Sequence, residues 1–255
     1  MKTWLVAATV VTAVTIGSTA IAQIDLDPKQ QWTVEWHKRL NSDWPFLARY
    51  GEENAKLVPT PDAPRIVFMG DSITEGWVSK ADGFFTPGRI GRGIGGQTTP
   101  QMLARFRQDV IDLKPAVVHI MAGTNDIAGN TGPMTAEQTK GNIKSMVELA
   151  HANGIRVILA SIPPADRFPW KPGLKTGEQI VALNRWLQAY AARAGCVYAD
   201  YWGVLHAPGT LGMRDGLSSD HVHPTEAGYD VMAPVGERAI KAALALPAPP
   251  KLSTE

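Results

Sequence analysis

The stretch RIVFMGDSIT, residues Arg65 to Thr74, decides the fold, because an apolar run passes there directly into a Gly-Asp-Ser turn. The apolar run, with Pro64 before it and Gly70 after it, is typical of a strand buried on both faces of a parallel sheet. The turn then places Ser72 at the carboxyl end of that strand. Asp and Ser are also common helix caps, so the turn alone has an ordinary structural explanation.

Four more apolar runs extend this pattern along the chain, although the first of them is weaker and rich in glycine. They predict strands at residues 89–94, 116–122, 156–162 and 196–201. Helical patterns lie between or after them, at residues 99–113, 135–153, 177–194 and 225–246. The alternation predicts an α/β fold with a parallel sheet, helices on both faces and a ligand site at the carboxyl ends of the strands.

The composition of the chain limits its class. Its 255 residues fit one α/β domain, which at this length can bury a full core. With 25 basic and 24 acidic residues and no basic stripe, the sequence gives no reason to expect a nucleic-acid partner. The single cysteine, Cys196, excludes an internal disulfide.

The N-terminus has the parts of a secretory signal peptide. Lys2 precedes an uncharged stretch, residues 3–22, which is rich in Val, Ala and Thr and ends in Ala-Ile-Ala. An uncleaved membrane anchor needs about 20 apolar residues, and the several Thr and Ser residues in this stretch disfavour that alternative. We expect cleavage after Ala22, a secreted or periplasmic location, and no stable membrane insertion afterwards.

The rest of the chain divides into three predicted segments. Residues 23–63 form an N-terminal helical extension, in which Pro45 interrupts a loosely helical pattern. Residues 64–246 form the α/β domain. Residues 247–255 contain three prolines and no apolar periodicity, which predicts a flexible tail.

Polar and glycine-rich segments follow the second and third predicted strands. In residues 91–99, glycines would let backbone N–H groups point into a site, and Gly96 could donate to an oxyanion. A tight turn before the next helix is the alternative. After the third strand, Asn125 could supply an amide donor at the same edge, or it could form an Asx turn, a role that also suits Asp126.

A carboxylate and a histidine lie three residues apart before the last helix, as Asp220 and His223. A serine oxygen is a poor nucleophile until a base removes its proton, and a carboxylate can orient that base. Ser72, His223 and Asp220 therefore predict a nucleophile, a general base and the acid that orients the base.

Four sequence blocks in this order resemble the SGNH, or GDSL, hydrolases over residues 64–246. The blocks are Gly70-Asp71-Ser72, then Gly96, then Gly123-Thr124-Asn125-Asp126, then Asp220-His221-Val222-His223. The resemblance implies a flavodoxin-like three-layer α/β/α sandwich with five parallel strands in the order 2-1-3-4-5. It also implies an oxyanion hole from the Ser72 and Gly96 backbone N–H groups and the Asn125 side chain, with no metal or organic cofactor.

The chain departs from that family's pattern at His221, because the residue after the acid is commonly glycine. Two candidate bases therefore lie close together. His223 is preferred, since its spacing from Asp220 and its place before a proline match the family's block, and His221 is expected at the rim of the pocket. The long loop at residues 163–176 contains Phe168 and Trp170, which could wall the pocket or pack on the core.

These features predict a hydrolase of carboxylic esters that acts on a small-molecule substrate through an acyl-enzyme. No large helical lid interrupts the motifs, which disfavours a triglyceride lipase and favours short-acyl or acetyl esters. Lysophospholipase or thioesterase activity is the alternative within the family, and nothing in the sequence indicates an oligomeric state.

Two other classes of function are weaker alternatives. A metal-dependent phosphoester hydrolase could use Asp71, Asp126, Asp220 and His223 as ligands. A non-catalytic module could bind a ligand on the same topology. Neither explains why a serine, a glycine, an asparagine and an Asp-x-x-His loop occur together.

Overall fold

The structure is a computed structural model that describes residues 27–58, 63–81 and 83–252. The predicted signal peptide at residues 1–22, with its cleavage site after Ala22, lies outside the described residues. The chain divides into two compact units, residues 1–38 and 39–255. In the first, Trp32 stacks on Trp36 with ring centroids 5.5 Å apart.

Five parallel strands form one sheet in the order β2-β1-β3-β4-β5, which confirms the predicted topology. The strands are β1 (Ile66–Gly70), β2 (Arg89–Gly93), β3 (Val117–Met121), β4 (Arg156–Ala160) and β5 (Val197–Ala199). In the register of the sheet, Gly70 lies beside Gly93 of β2 and Met121 of β3. The first three strands therefore end level with one another, and their following loops start side by side.

Nine α-helices occur in the described part of the chain. They are α1 (Pro28–Ser42), α2 (Gly51–Ala55), α3 (Ser72–Lys80), α4 (Thr99–Asp109), α5 (Thr124–Ala128), α6 (Ala136–Ala152), α7 (Thr176–Ala194), α8 (Tyr201–Leu205) and α9 (Glu226–Ala245). Two 3₁₀ helices, Leu47–Tyr50 and Ile111–Leu113, precede α2 and follow α4.

The structure corrects several predicted boundaries, and the strand expected over residues 156–162, for example, ends at Ala160. The helix expected over residues 99–113 ends at Asp109 and continues only as the 3₁₀ turn. The strand expected over residues 196–201 stops at Ala199, because the Asp200 side chain accepts the Gly203 N–H and begins α8 at Tyr201.

The core has two layers, one on each face of the sheet. Side chains of β1 alternate between them, as the period of a strand requires. Val67 and Met69 belong to the cluster that α4, α6 and α7 cover, whereas Ile66 and Phe68 belong to the cluster that α3 and α9 cover. This arrangement is the predicted three-layer α/β/α sandwich.

The described part of the C-terminal tail has no regular structure. Residues 247–252 follow α9, and the Leu252 N–H donates to the Ala152 carbonyl at 2.9 Å. The flexibility of this tail stays a prediction. Within the described ranges, no helix combines the length and the apolar character needed to cross a membrane.

Candidate active site

Ser72 is the first residue of α3, directly beyond the end of β1. The Asp71 side chain caps the helix by accepting the Ile73 N–H at 3.0 Å. The turn is tight: a Cβ on Gly70 would lie 2.0 Å from Thr74 Oγ1. As the first residue of the helix, Ser72 keeps a backbone N–H that has no partner inside the helix, and this donor points out of the helix N-terminus.

The loop after β2 bends back over the start of α3. A Cβ on Gly93 would lie 2.2 Å from the Glu75 backbone nitrogen, so only glycine permits this approach. Gly96 has a φ of 76°, in the left-handed region that glycine enters without steric cost. The Gly95 N–H donates to Glu75 Oε2 at 2.8 Å, which ties the loop to the helix that carries Ser72.

Asn125 lies in α5 and reaches between the loops that follow β1 and β2. Its Nδ2 donates to the Gln97 carbonyl at 3.0 Å and lies 3.4 Å from Asp71 Oδ2. The side chain is buried. The structure thus brings Asn125 to the same edge as Ser72 and Gly96, with one amide hydrogen well bonded and the other in a long contact.

Asp126, by contrast, bonds to helices rather than to the other candidate residues. Its carboxylate accepts the Thr99 N–H at 2.9 Å, the Thr99 hydroxyl, and the Thr139 hydroxyl at 3.2 Å. Burial raises its pKa, and the hydrogen bonds oppose that rise. Asp126 therefore joins α4 and α6 to α5. Across the described residues, no three His, Cys, Asp or Glu side chains form a group that could hold a metal ion.

The loop before α9 completes a hydrogen-bonded chain with Ser72. His223 Nε2 lies 2.8 Å from Ser72 Oγ, and His223 Nδ1 lies 2.6 Å from Asp220 Oδ2. Asp220 Oδ1 also accepts the backbone N–H groups of Val222 at 3.0 Å and His223 at 2.8 Å. The three predicted residues are thus in contact, in the order nucleophile, base and acid.

The pKa values of two carboxylates near Ser72 are shifted in opposite directions. Burial alone would raise the pKa of Asp220, but hydrogen bonds from His223 and from the Val222 N–H outweigh it and lower this pKa to about 2. Burial raises the pKa of Asp71 to about 6, against the opposing bond from the Ile73 N–H. Asp220 is therefore ionised near neutral pH, and Asp71 holds its proton more tightly than an exposed aspartate does.

The His221 ring contacts Arg167 and Asp166. Its Nε2 accepts from Arg167 Nη2 at 2.5 Å, and its Nδ1 lies 3.4 Å from Asp166 Oδ1. The backbone of His221 has a φ of 72°, a left-handed conformation that glycine adopts more easily. This conformation explains why glycine suits the position after the acid, and why His221 there is a departure with a steric cost.

The loop between β4 and α7 places an aromatic pair beside the base. Phe168 is 1% exposed and packs in the core, with Trp170 stacked on it at 5.1 Å between ring centroids. Trp170 is 38% exposed, and its ring centroid lies 6.4 Å from that of His223. Trp170 thus has a surface next to His223, and its ring stacks on the buried Phe168.

Two polar residues that the sequence did not single out also contact this site. Asn130 Nδ2 donates to Asn125 Oδ1 at 2.9 Å and to the Gly96 carbonyl at 3.2 Å. The fully buried Arg105 donates from Nε to the Gln97 side chain at 2.6 Å. In the sequence, Arg105 and Asp109 are spaced as a helical i,i+4 ion pair. Such pairs usually lie on the surface, so no sequence signal indicates that Arg105 is buried near the site.

At the carboxyl edge of a five-stranded parallel sheet, Ser72, His223 and Asp220 are in hydrogen-bond contact, an arrangement that suits a hydrolase with an α/β fold. A sequence model of the GDSL-like Lipase/Acylhydrolase family matches residues 68–231. The chain belongs to this family of GDSL, or SGNH, acylhydrolases and esterases, as the sequence blocks predicted.

The similarity of this chain to known proteins is consistent with this family membership. A GDSL-like lipase of Bacteroides thetaiotaomicron is 46% identical, with a TM-score of 0.76 over 79% of this chain and 100% of that one. Platelet-activating factor acetylhydrolase IB subunit alpha1 of Homo sapiens is 31% identical over 176 residues, 65% of this chain and 71% of that protein. Esterase TesA of Pseudomonas aeruginosa is 28% identical over 179 residues, 65% of this chain and 82% of that protein.

Proposed function

We propose that the protein is an exported serine esterase that hydrolyses short-acyl esters, acetyl esters above all, through an acyl-enzyme on Ser72. The observation that carries the proposal is the unbroken chain from Ser72 Oγ through the His223 ring to Asp220, with contacts of 2.8 and 2.6 Å. Both contacts lie within hydrogen-bond reach, as general-base activation of a serine requires.

In the proposed reaction, Ser72 Oγ attacks the ester carbonyl while His223 Nε2 takes the hydroxyl proton. The carbonyl oxygen becomes an oxyanion in the tetrahedral intermediate. His223 then returns the proton to the leaving alcohol, and the acyl group stays on Ser72. A water molecule, deprotonated by His223, then attacks the acyl-enzyme, and as the bond to Ser72 Oγ breaks, His223 returns that proton to Oγ, which releases the carboxylic acid and regenerates Ser72.

Three donors are proposed for the oxyanion. The Ser72 and Gly96 backbone N–H groups have no acceptor among the described residues, so both are free to bind it. Asn125 donates one amide hydrogen to Gln97, and the other makes only the 3.4 Å contact with Asp71. The oxyanion of the tetrahedral intermediate would accept that second hydrogen instead of Asp71, since hydrogen bonds to ions are shorter and stronger.

The preference for an acetyl or short acyl group has support from relatives and from the site. The human relative at 31% identity is named an acetylhydrolase. Trp170 lies beside His223 and is partly exposed, and Phe168 packs beneath it. Its flat face is proposed to contact either the alcohol or the acyl group of the ester. Lysophospholipase or thioesterase activity is the alternative that a substrate panel would reveal.

Export rests on residues 1–22 and their predicted cleavage after Ala22. Expression in a secreting host, followed by N-terminal sequencing of the exported protein, tests it. We expect the mature chain to begin at Gln23. Retention in the cell with an intact N-terminus would contradict the proposal.

The proposed chemistry is tested by covalent labelling and by substrate choice. A fluorophosphonate probe should label the wild type and leave Ser72→Ala unlabelled, with the adduct located by peptide mass spectrometry. Aryl esters of increasing acyl length, acetylated xylan and a lysophospholipid should show the highest kcat/KM for an acetyl ester. Unchanged turnover in Ser72→Ala, or loss of turnover with EDTA, would overturn the serine mechanism and favour a metal-dependent one.

A further inference from the structure

Asn130 contacts both of the residues proposed as oxyanion donors beyond Ser72. It follows Gly129, which ends α5 in a left-handed conformation with a φ of 66°. One nitrogen, Asn130 Nδ2, donates to Asn125 Oδ1 at 2.9 Å and to the Gly96 carbonyl at 3.2 Å. The two hydrogens of a single amide therefore bond to helix α5, which follows β3, and to the loop that follows β2.

The bond to Asn125 decides how that amide is turned. An asparagine amide can rotate by half a turn, which exchanges its oxygen and its nitrogen. Because Asn130 Nδ2 can only donate, it favours the orientation that presents Asn125 Oδ1 to it. Asn125 Nδ2 is then left on the side of Gln97 and of Asp71, the residue that precedes Ser72.

The bond to Gly96 restrains the glycine of the proposed oxyanion hole. Gly96 lacks a Cβ and has a left-handed backbone, so its own sterics do little to fix the direction of its N–H. A hydrogen bond to its carbonyl restrains its backbone. The Asn130 backbone also donates its N–H to the Asn125 carbonyl at 3.1 Å, which holds Asn130 in place.

We propose that Asn130 is a positioning residue that sets the orientation of the Gly96 and Asn125 oxyanion donors together. This inference rests on the proposed function, because it requires those two donors to act on the substrate. A donor in a preorganised hole stabilises the transition state more than the bound ester. A defect in Asn130 should therefore lower kcat and leave KM nearly unchanged.

Asn130→Asp tests the role, because aspartate has the same shape but offers only acceptors to two carbonyl oxygens. Loss of a whole oxyanion donor typically costs about 100-fold to 1,000-fold, and a misplaced pair should cost about 10-fold to 100-fold in kcat. We expect this loss with KM within about threefold, measured on an aryl acetate. Asn130→Ala, which adds no charge, should show a smaller loss in the same direction.

Asn153→Asp is the matched control. Asn153 Nδ2 donates to the Leu149 carbonyl at 2.8 Å at the end of α6, so the same substitution there removes one amide donor outside the proposed site. The control should keep kcat within about twofold, and thermal melting should show that both variants fold.

A double-mutant cycle with Asn125→Ala adds a measurement that a merely structural role would not move. Once the Asn125 amide is gone, Asn130→Asp can disturb only Gly96, so the combined loss in kcat should be smaller than the product of the single losses. Multiplicative losses, or a kcat for Asn130→Asp equal to that of Asn153→Asp, would overturn the inference. Full activity in Ser72→Ala would instead overturn the proposed function itself.

Discussion

Asp220 holds His223 at two points: Oδ2 faces the ring Nδ1 at 2.6 Å, and Oδ1 accepts the His223 backbone N–H at 2.8 Å. One carboxylate therefore fixes both the position of the histidine and the rotation of its ring. The three-residue spacing makes this possible, because the loop turns back on itself between the two residues. With a pKa lowered to about 2, Asp220 keeps its charge throughout the range in which an esterase would work.

Asp220→Asn should abolish most of the activity without unfolding the protein. Asparagine can still accept the backbone N–H groups through its oxygen, but its NH₂ would face Nδ1 and favour the wrong imidazole tautomer. A loss of kcat on the order of 10⁴ is expected, as in serine hydrolases with this arrangement. Turnover of an aryl acetate and circular dichroism would measure the two effects.

Asp166→Asn is the control for that experiment, because Asp166 lies beside His221 rather than His223. Its kcat should stay within a few-fold of the wild type. If Asp220→Asn kept more than a tenth of the wild-type kcat, Asp220 would not be the residue that orients the base.

The two neighbouring histidines should respond differently to substitution. His223→Ala removes the imidazole in contact with Ser72 Oγ and should lower kcat by at least about 1,000-fold. His221→Ala breaks contacts with Arg167 and Asp166, neither of which contacts Ser72 or His223 in the described part of the chain, so kcat should stay within about fivefold. A large loss in His221→Ala with activity retained in His223→Ala would reverse the assignment of the base.

The backbone of His221 gives a second comparison at the same position. His221→Ala and His221→Gly both lose the imidazole, but only glycine adopts a φ of 72° without strain. A left-handed residue other than glycine costs roughly 1–2 kcal/mol. The glycine variant should therefore unfold at higher urea than the alanine variant, with a difference of about 1 kcal/mol, and equal midpoints would count against backbone strain.

The sequence predicted those parts of the site that lie next to strand ends. Ser72 follows β1, Gly96 follows β2 and Asn125 follows β3, and a parallel sheet brings such positions together whatever the intervening helices are. Asp220 and His223 could be paired because they share one loop. Local pattern and topology were sufficient to predict where these five residues lie, and their roles stay predictions.

The sequence could not predict the residues that reach the site only through tertiary contacts. Asn130 and Arg105 reach the site from a loop and from a helix, with no motif to mark them. The five-residue helices α5 and α8 are too short to show a period. Likewise, the raised pKa of Asp71 depends on burial by residues distant in the sequence, which its role as a helix cap does not reveal.

Gln97 connects the loop after β2 to the segment that precedes the first strand. Its Oε1 accepts from Arg105 at 2.6 Å, its Nε2 donates to the Pro45 carbonyl at 2.9 Å, and its own carbonyl accepts from Asn125. Gln97→Met keeps the volume and loses both side-chain bonds. We expect about 10-fold lower kcat with KM nearly unchanged, because the loop beside Gly96 would lose its anchor.

Gln101→Met is the matched control for Gln97→Met. Gln101 is equally buried, its Nε2 donates to the Trp44 carbonyl at 2.7 Å, one residue before Pro45, and its Oε1 accepts the Thr98 N–H at 3.0 Å. Among the described residues it makes no bond to Asn125 or Gly96. Each variant should lose about 1–3 kcal/mol of unfolding free energy through an unpaired buried group. Only Gln97→Met should lose turnover, and similar kcat values for the two would show that Gln97 acts on stability alone.

Asp71 should make the folded state less stable as the pH rises, because burial raises its pKa from 3.8 to about 6. Between pH 3.8 and pH 6 the folded chain holds a proton on Asp71 that the unfolded chain releases. The stability that this proton contributes is fully present below pH 3.8 and is lost as the pH rises through 6. The shift corresponds to a penalty on the order of 3 kcal/mol at higher pH. Asp71→Asn removes this titration and keeps an oxygen that can cap Ile73. Urea unfolding of both proteins at pH 4 and pH 8 should show the variant gaining on the wild type as the pH rises, whereas a difference independent of pH would mean that Asp71 titrates normally.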